Sequence, residues 1–320
     1  MFFQIFIFLL SVFVLLFSGK ILIKSLSRIS EVFKLKEFTV SFFIMSLATA
    51  SPELFIGISS ALNKSSELSL GNIIGQNIIH FTLAIAICVF VGGPFFIKSE
   101  TIKRTAWFSA LMAVLPLVLV SDGYLGRIDG IVLLLGFAVF SFWIFGKREM
   151  FERDFLLAEG EKISKVAKLL RLFRESFYFI IGIGLLVISA QGIVSSSVSF
   201  AGILGVPLVF IGAVIVGLGT ALPEVYFSAV SAFSKKSSLM AGNLLGSTVI
   251  STSLVLGLVA IIEPISVNIS FYAVNRAFLF LAVVLFIIFM ISGRKIDRKE
   301  AFVLFTIYIL FVLFEIMALS

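Results

Sequence analysis

The sequence predicts an all-α polytopic membrane protein: ten transmembrane helices built as two inverted five-helix repeats. Three observations predict it. Apolar stretches long enough to cross a bilayer recur along the chain, basic residues gather on alternate loops, and a set of polar landmarks returns at one constant offset.

The apolar stretches come first. Of 320 residues, 60% are hydrophobic and only 13% are charged, about half the charged fraction of a soluble domain. The mean hydropathy is +1.18, and 38 phenylalanines would be hard to hide in a soluble core. Runs of about 18 or more apolar residues mark spanning helices. They fall near residues 2–19, 38–61, 70–94, 105–121, 128–146, 175–195, 206–233, 239–262, 271–292 and 301–319. The first ten residues lack a basic head and begin the first span, so no cleavable signal peptide is expected. The single cysteine, Cys88, can form no internal disulfide.

The basic residues then set orientation. The net charge is +7, and 22 of the 25 lysines and arginines flank the loops after spans 1, 3, 5, 7 and 9. The other side receives only Lys64, Arg127 and Arg276. The positive-inside rule makes the first side cytoplasmic and leaves both termini outside. The charge is thereby explained by orientation in the cell membrane, and no nucleic-acid partner is expected. The longest connection, residues 147–174, is strongly charged. Its part from Ile163 to Phe173 has the spacing of an amphipathic surface helix, against the plainer alternative of a solvated linker. The expected organisation is 1–146 for the first repeat, 147–174 for the linker and 175–320 for the second repeat.

The repeat is the third observation. MSLATASPELFIGISSAL in span 2 answers VGLGTALPEVYFSAVSAF in span 7, and GNIIGQNIIH in span 3 answers GNLLGSTVIS in span 8. Thr49 pairs with Thr220, Pro52 with Pro223, Glu53 with Glu224, Asn72 with Asn243, and Gly75 with Gly246, and the offset in sequence is identical for every pair. Five spans per half is odd, so the second half enters the membrane inverted. Such repeats are typical of secondary transporters, with the substrate site near the midplane.

The repeated segments carry the candidate site. A carboxylate in mid-span costs at least about 2.5–3.5 kcal/mol, and Glu53 and Glu224 have no Lys or Arg nearby in their own spans. A bound cation or a proton is the natural partner; a protonated glutamate bonding between helices is the structural alternative. Pro52 and Pro223 lack the N–H that would serve the carbonyls of Ala48 and Gly219, so each is expected to kink or unwind its helix. The carbonyls near Thr49 and Thr220 would then be free to meet an ion. Two carboxylates and two carbonyls supply up to six oxygens, and calcium takes about six to eight. Magnesium, which keeps more of its water, fits less well. On span 3, Asn72, Gln76 and His80 share one helical face; Asn243, Ser247 and Ser251 do so on span 8. Each stripe is expected to line the site, with interhelical hydrogen bonding as the alternative.

With these motifs the chain resembles the calcium/cation antiporter superfamily of sodium/calcium and proton/calcium exchangers. The resemblance covers essentially the whole chain. It implies a secondary active antiporter that exchanges Ca2+ for Na+ or H+ by alternating access, with no cofactor and no enzymatic activity. Glu53 and Glu224 take the places of the family's calcium-binding glutamates, and Thr49 and Thr220 those of residues whose carbonyls help bind ions. Five departures bear on sodium. His80 and Ser251 stand where such exchangers commonly carry an acid or amide, Gln76 replaces a small hydroxyl residue, and Ala50 and Ala221 replace serine. The calcium pair is intact and the sodium sites are altered, so a proton-coupled exchanger is the alternative, with a passive cation channel behind it. His80, the one histidine, titrates near neutrality when unperturbed and is a candidate proton carrier. A neutral histidine bonded to a neighbour is the plainer alternative. The expected partners are the lipid bilayer and small cations, and the sequence carries no signal of oligomeric state.

Overall fold

A computed structural model of the chain describes residues 2–33, 47, 50–96, 100–145, 165–235, 237–293 and 295–318. These residues form α1 (Phe2–Phe33), α2 (Ser51–Leu62), α3 (Ser66–Ile79), α4 (Ile85–Gly92), β1 (Phe95–Phe96), α5 (Glu100–Leu119), β2 (Tyr124–Leu125), α6 (Arg127–Phe145) and α7 (Lys165–Leu204). There follow α8 (Leu208–Phe210), α9 (Gly217–Phe233), α10 (Ser237–Val249), α11 (Leu256–Ile262), β3 (Ile265–Ser266), α12 (Ile269–Gly293), β4 (Lys295–Ile296) and α13 (Arg298–Met317). Among the described residues nine helices are long and apolar enough to cross a membrane. The expected second span is described only from residue 47 onward, and its latter part is α2. The start of α13 is set locally: Asp297 accepts from the backbone N–H groups of Lys299 and Glu300, and Glu300 reaches back to the Asp297 N–H.

Three expectations are corrected. The first span, expected near 2–19 and found at Phe2–Leu22, is not followed by the expected loop. Its helix runs through Lys20, Lys24 and Arg28 to Phe33, 32 residues in all, or about 48 Å at 1.5 Å per residue. The separate surface helix over Ile163–Phe173 does not form either. Residues 165–173 are the opening turns of α7, a single 40-residue helix that includes the sixth span. The two long helices pack along each other, and the pairing holds their polar ends in register. Buried Glu175 of α7 meets Arg28 of α1 at 3.0 Å and Arg174 at 3.0 Å. Apolar side chains from both helices join one core cluster that includes Leu15, Leu22, Leu186 and Ala190.

The third correction concerns Pro223, whereas the break expected at Pro52 agrees with a helix that begins at Ser51. Pro52 stands in the first turn of α2, after the N-cap Ala50, where its missing N–H costs nothing. Ala48, whose carbonyl it was expected to free, lies outside the described residues. Pro223 is inside α9, which continues through it. The irregularity in span 7 lies earlier, in a π-helical stretch over Ile211–Val216 that joins α8 to α9. Matching π-helical stretches join α3 to α4 at His80–Ala84 and α10 to α11 at Ile250–Val255. Such widened turns recur at functional sites. The Thr82 hydroxyl bonds back to the Ile78 carbonyl and the Ser253 hydroxyl to the Val249 carbonyl, supplying a donor where the wider turn displaces the usual N–H.

The inverted repeat is visible in the loop contacts. β1 pairs antiparallel with β4, and β2 with β3. Phe95 faces Ile296 and Leu125 faces Ile265. Ile296 is the repeat mate of Leu125, and Ile265 stands next to the repeat mate of Phe95, so the repeat exchanges one ladder for the other. β1 and β4 come from loops placed on one side by the charge pattern, β2 and β3 from loops placed on the other. The Lys235 ammonium on the Gly92 carbonyl at 2.8 Å joins one more loop to the β1 connection on the same side. The alternation of the expected spans is therefore consistent with which loops meet.

The halves meet most closely where α3 crosses the start of span 7. A Cβ added to Gly75 would strike the Ala213 backbone carbonyl, and one on Gly212 would strike the Leu68 carbonyl. Only glycine lets the two backbones come this near. The crossing sets the depth of the polar residues on both elements.

Candidate functional site

The polar residues singled out by the repeat converge around this crossing. Glu53 and Glu224 are both fully buried. Glu53 stands in the first turn of α2, where unpaired N–H groups and the helix dipole favour an anion. Gln76 of α3 donates from Nε2 to Glu53 Oε1. Glu53 Oε2 and Gln76 Oε1 are buried and have no hydrogen-bond partner among the described residues. Glu224 stands about two turns into α9. Asn243 of α10 donates to its backbone carbonyl at 3.3 Å and to the Ser228 hydroxyl at 3.1 Å.

Thr220 joins the two halves. Its hydroxyl lies 2.9 Å from Asn72 Oδ1 and 3.3 Å from the Gly217 carbonyl. Its repeat mate Thr49 lies outside the described residues. A further crossing bond lies deeper on the same stripe: His80 Nδ1 is 3.0 Å from Thr248 Oγ1. Ser247 and Ser251 are buried, but each hydroxyl turns onto a carbonyl of its own helix, Leu244 and Thr248, at 3.3 Å. The structure thus brings Glu53 to Gln76, Asn72 to Thr220 and Asn243 to the backbone of Glu224, while the two serines face their own helix.

Several polar residues here were not singled out from the sequence. Thr248 is the partner of His80. Its repeat mate in the first half is Asn77, whose side-chain nitrogen and oxygen are both buried without a partner among the described residues. The offset that paired the glutamates would have found both. Ser228 was also missed; its mate is Gly57, which has no hydroxyl to offer. Besides Glu175, another buried carboxylate lies outside the site: Glu315 of α13 accepts from Asn275 Nδ2 of α12 at 2.6 Å.

The donor set is chemically definite. It consists of carboxylate, amide and hydroxyl oxygens with one imidazole, in surroundings closed to bulk water. Among the described residues no three His, Cys, Asp or Glu side chains gather as a metal-binding group. An ion held here would draw most of its shell from amides, hydroxyls, carbonyls and water, as hard cations accept.

The comparisons with known proteins agree with this architecture. The sodium/calcium exchanger protein family model matches residues 3–146 and 175–317. The putative antiporter CaxA of Alkalimonas amylolytica is 26% identical over 251 residues, 78% of each chain. The sodium/calcium exchanger MaX1 of Methanosarcina acetivorans is 25% identical, covering 91% of this chain and 92% of that one. Among solved structures, the sodium-calcium exchanger NCX_Mj superposes with a TM-score of 0.61 at 20% identity, over 96% of this chain and 97% of that one. The H+/Ca2+ exchanger CAX superposes with a TM-score of 0.75 at 15% identity, over 99% and 87%; at these identities the superpositions speak to fold. The two matched stretches of the family model together span nearly all of both five-helix halves, and the chain belongs to the sodium/calcium exchanger family.

Proposed function

We propose that the chain is a secondary active antiporter that moves Ca2+ against Na+ or H+ by alternating access at a midplane site on Glu53 and Glu224. The observation that carries this reading is the pair of fully buried glutamates, one from each inverted half. Neither would persist in the membrane without a cation or proton to neutralise it. The backbone carbonyls at Thr49 and Thr220 complete the inner oxygens, and Asn72, Gln76, His80, Asn243, Ser247 and Ser251 line the approach. Relatives named as an antiporter and a sodium/calcium exchanger support the reaction class. The protein acts as a carrier in the cell membrane with both termini outside, and not as an enzyme.

Proton coupling is the second reading, favoured by one observation. The Gln76 amide N–H occupies one oxygen of Glu53, and His80 brings a nitrogen to the polar stripe of span 3, which leaves fewer oxygens for sodium. The test is Ca2+ flux in proteoliposomes with a sodium or a proton gradient imposed alone. Uptake driven by one gradient, saturable and lost in Glu53→Gln and Glu224→Gln, supports the antiporter and names its driving ion. Uptake that needs no counter-ion points to a channel, and near-normal uptake in both variants removes the site.

A further inference from the structure

His80 is the chain's one histidine, and it opens the widened turn between α3 and α4. Its Nδ1 faces Thr248 Oγ1 at 3.0 Å. That hydroxyl commits its one proton to the Leu244 carbonyl at 2.9 Å. The Thr248 oxygen therefore accepts, and Nδ1 carries the ring proton. In a neutral imidazole this leaves Nε2 with a bare lone pair. Nε2 is buried and has no hydrogen-bond partner among the described residues; a second proton there would bury an unpaired cation.

This is how a metal-binding histidine is prepared. One ring nitrogen donates to a fixed acceptor, which sets the tautomer and the ring orientation, and the other presents its lone pair. His80 follows Gln76 by one helical turn on the stripe that Asn72 begins, and Gln76 touches Glu53. The backbone of His80 therefore stands about 6 Å along the helix axis from that of Gln76. Calcium, a hard cation, takes oxygen ligands, whereas imidazole suits zinc, copper, iron and nickel. The absence of thiolate and thioether groups from the polar positions of both motifs argues against the softest ions and leaves the borderline class.

We propose that His80 Nε2 is a nitrogen donor on the ion path, which widens the carrier's substrates from calcium to borderline divalent ions of the zinc class. The proposal rests on the antiporter reading for its path and on the ring geometry for its ligand. The chain's single histidine makes the test direct. With selective 15N-histidine labelling of the full chain, both ring nitrogens report on His80 alone. The expected spectrum has Nδ1 protonated and Nε2 bare, and Zn2+ shifts Nε2 far more than Nδ1, whereas Ca2+ leaves both in place. A proton found on Nε2 without metal, or no response of Nε2 to Zn2+, overturns the proposal. In proteoliposomes, His80→Asn is expected to lower the ratio of Zn2+ to Ca2+ uptake about tenfold, the effect of one lost ligand contact worth about 1.4 kcal/mol. Equal losses of both ions reduce His80 to a positioning residue and also overturn it. If instead Glu53→Gln leaves Ca2+ uptake intact, the antiporter site is lost while the zinc response of Nε2 still decides the ligand.

Discussion

Glu53 and Glu224 occupy the same place in their repeats and keep different company. Glu53 opens a helix and shares one carboxylate oxygen with the Gln76 amide. Glu224 lies inside a continuous helix, and the residue matching Gln76 is Ser247, which turns away onto the Leu244 carbonyl. The asparagines differ for a related reason. Asn243 finds the Ser228 hydroxyl within its own half. The mate of Ser228 is Gly57, which leaves Asn72 Nδ2 without a partner among the described residues, while Asn72 Oδ1 accepts from Thr220 of the other half. Two near-copies of one motif thus give one self-contained half and one that leans on its partner.

The largest expected effect tests what the halves share. Glu53→Gln and Glu224→Gln each remove a charge that an ion must replace, and each is expected to lower Ca2+ uptake by at least about 100-fold, the effect of some 3 kcal/mol of lost binding. A large loss in one variant and a small loss in the other would show that only one half holds the ion.

The next effect tests the close crossing of α3 with the start of span 7. Gly75→Ala places a methyl against the Ala213 carbonyl, and Gly212→Ala one against the Leu68 carbonyl. Backbone cannot swing aside as a side chain does, so each is expected to cost about 1–3 kcal/mol, read as a lower midpoint of thermal unfolding in detergent. Gly184→Ala, at a position with open space around it, is the control and should not lower it.

The inequality itself is tested by Gln76→Ser, which gives the first half the side chain of the second. The Gln76 N–H holds an oxygen that an incoming cation needs, and a hydrogen bond to a charged group is worth about 1.5–3 kcal/mol. Without it the concentration of Ca2+ for half-maximal uptake is expected to fall about tenfold or more. A rise would mean that Gln76 turns its amide over and presents Oε1 to the ion, acting as ligand and not as competitor.

These residues also separate what pattern reveals from what packing decides. The spans, the repeat, the altered positions at Gln76, His80 and Ser251, and the two buried glutamates were legible because hydropathy and a fixed offset are properties of sequence. The widened turns at His80 and Ile250 were not. They arise where neighbouring helices fit better against a turn of larger radius, and Thr82 and Ser253 read in isolation as ordinary membrane hydroxyls. The reach of α1 to Phe33 and of α7 back to Lys165 was hidden for another reason. Basic residues end an apolar run without ending a helix, and the contact of Arg28 with Glu175 continues both helices past their apolar lengths.

The smallest effect belongs to a difference remote from the crossing. In the second half Asn275 of α12 donates to the buried Glu315 of α13 at 2.6 Å. Their repeat mates in the first half are Arg104 and Ile144, and Arg104 meets Glu100 on its own exposed helix face at 3.5 Å. Among the described residues, only the second half ties its last two spans together through this polar pair. Interhelical hydrogen bonds in membranes average about 0.6 kcal/mol. Glu315→Gln, which keeps an acceptor for Asn275, is accordingly expected to change Ca2+ uptake less than about twofold and to leave thermal stability nearly unchanged, while Glu315→Leu strands the Asn275 amide and lowers stability by about 1 kcal/mol. If Glu315→Gln cut uptake as deeply as Glu53→Gln, the charge at Glu315 would matter for transport, and the second half would carry two transport carboxylates against the first half's one.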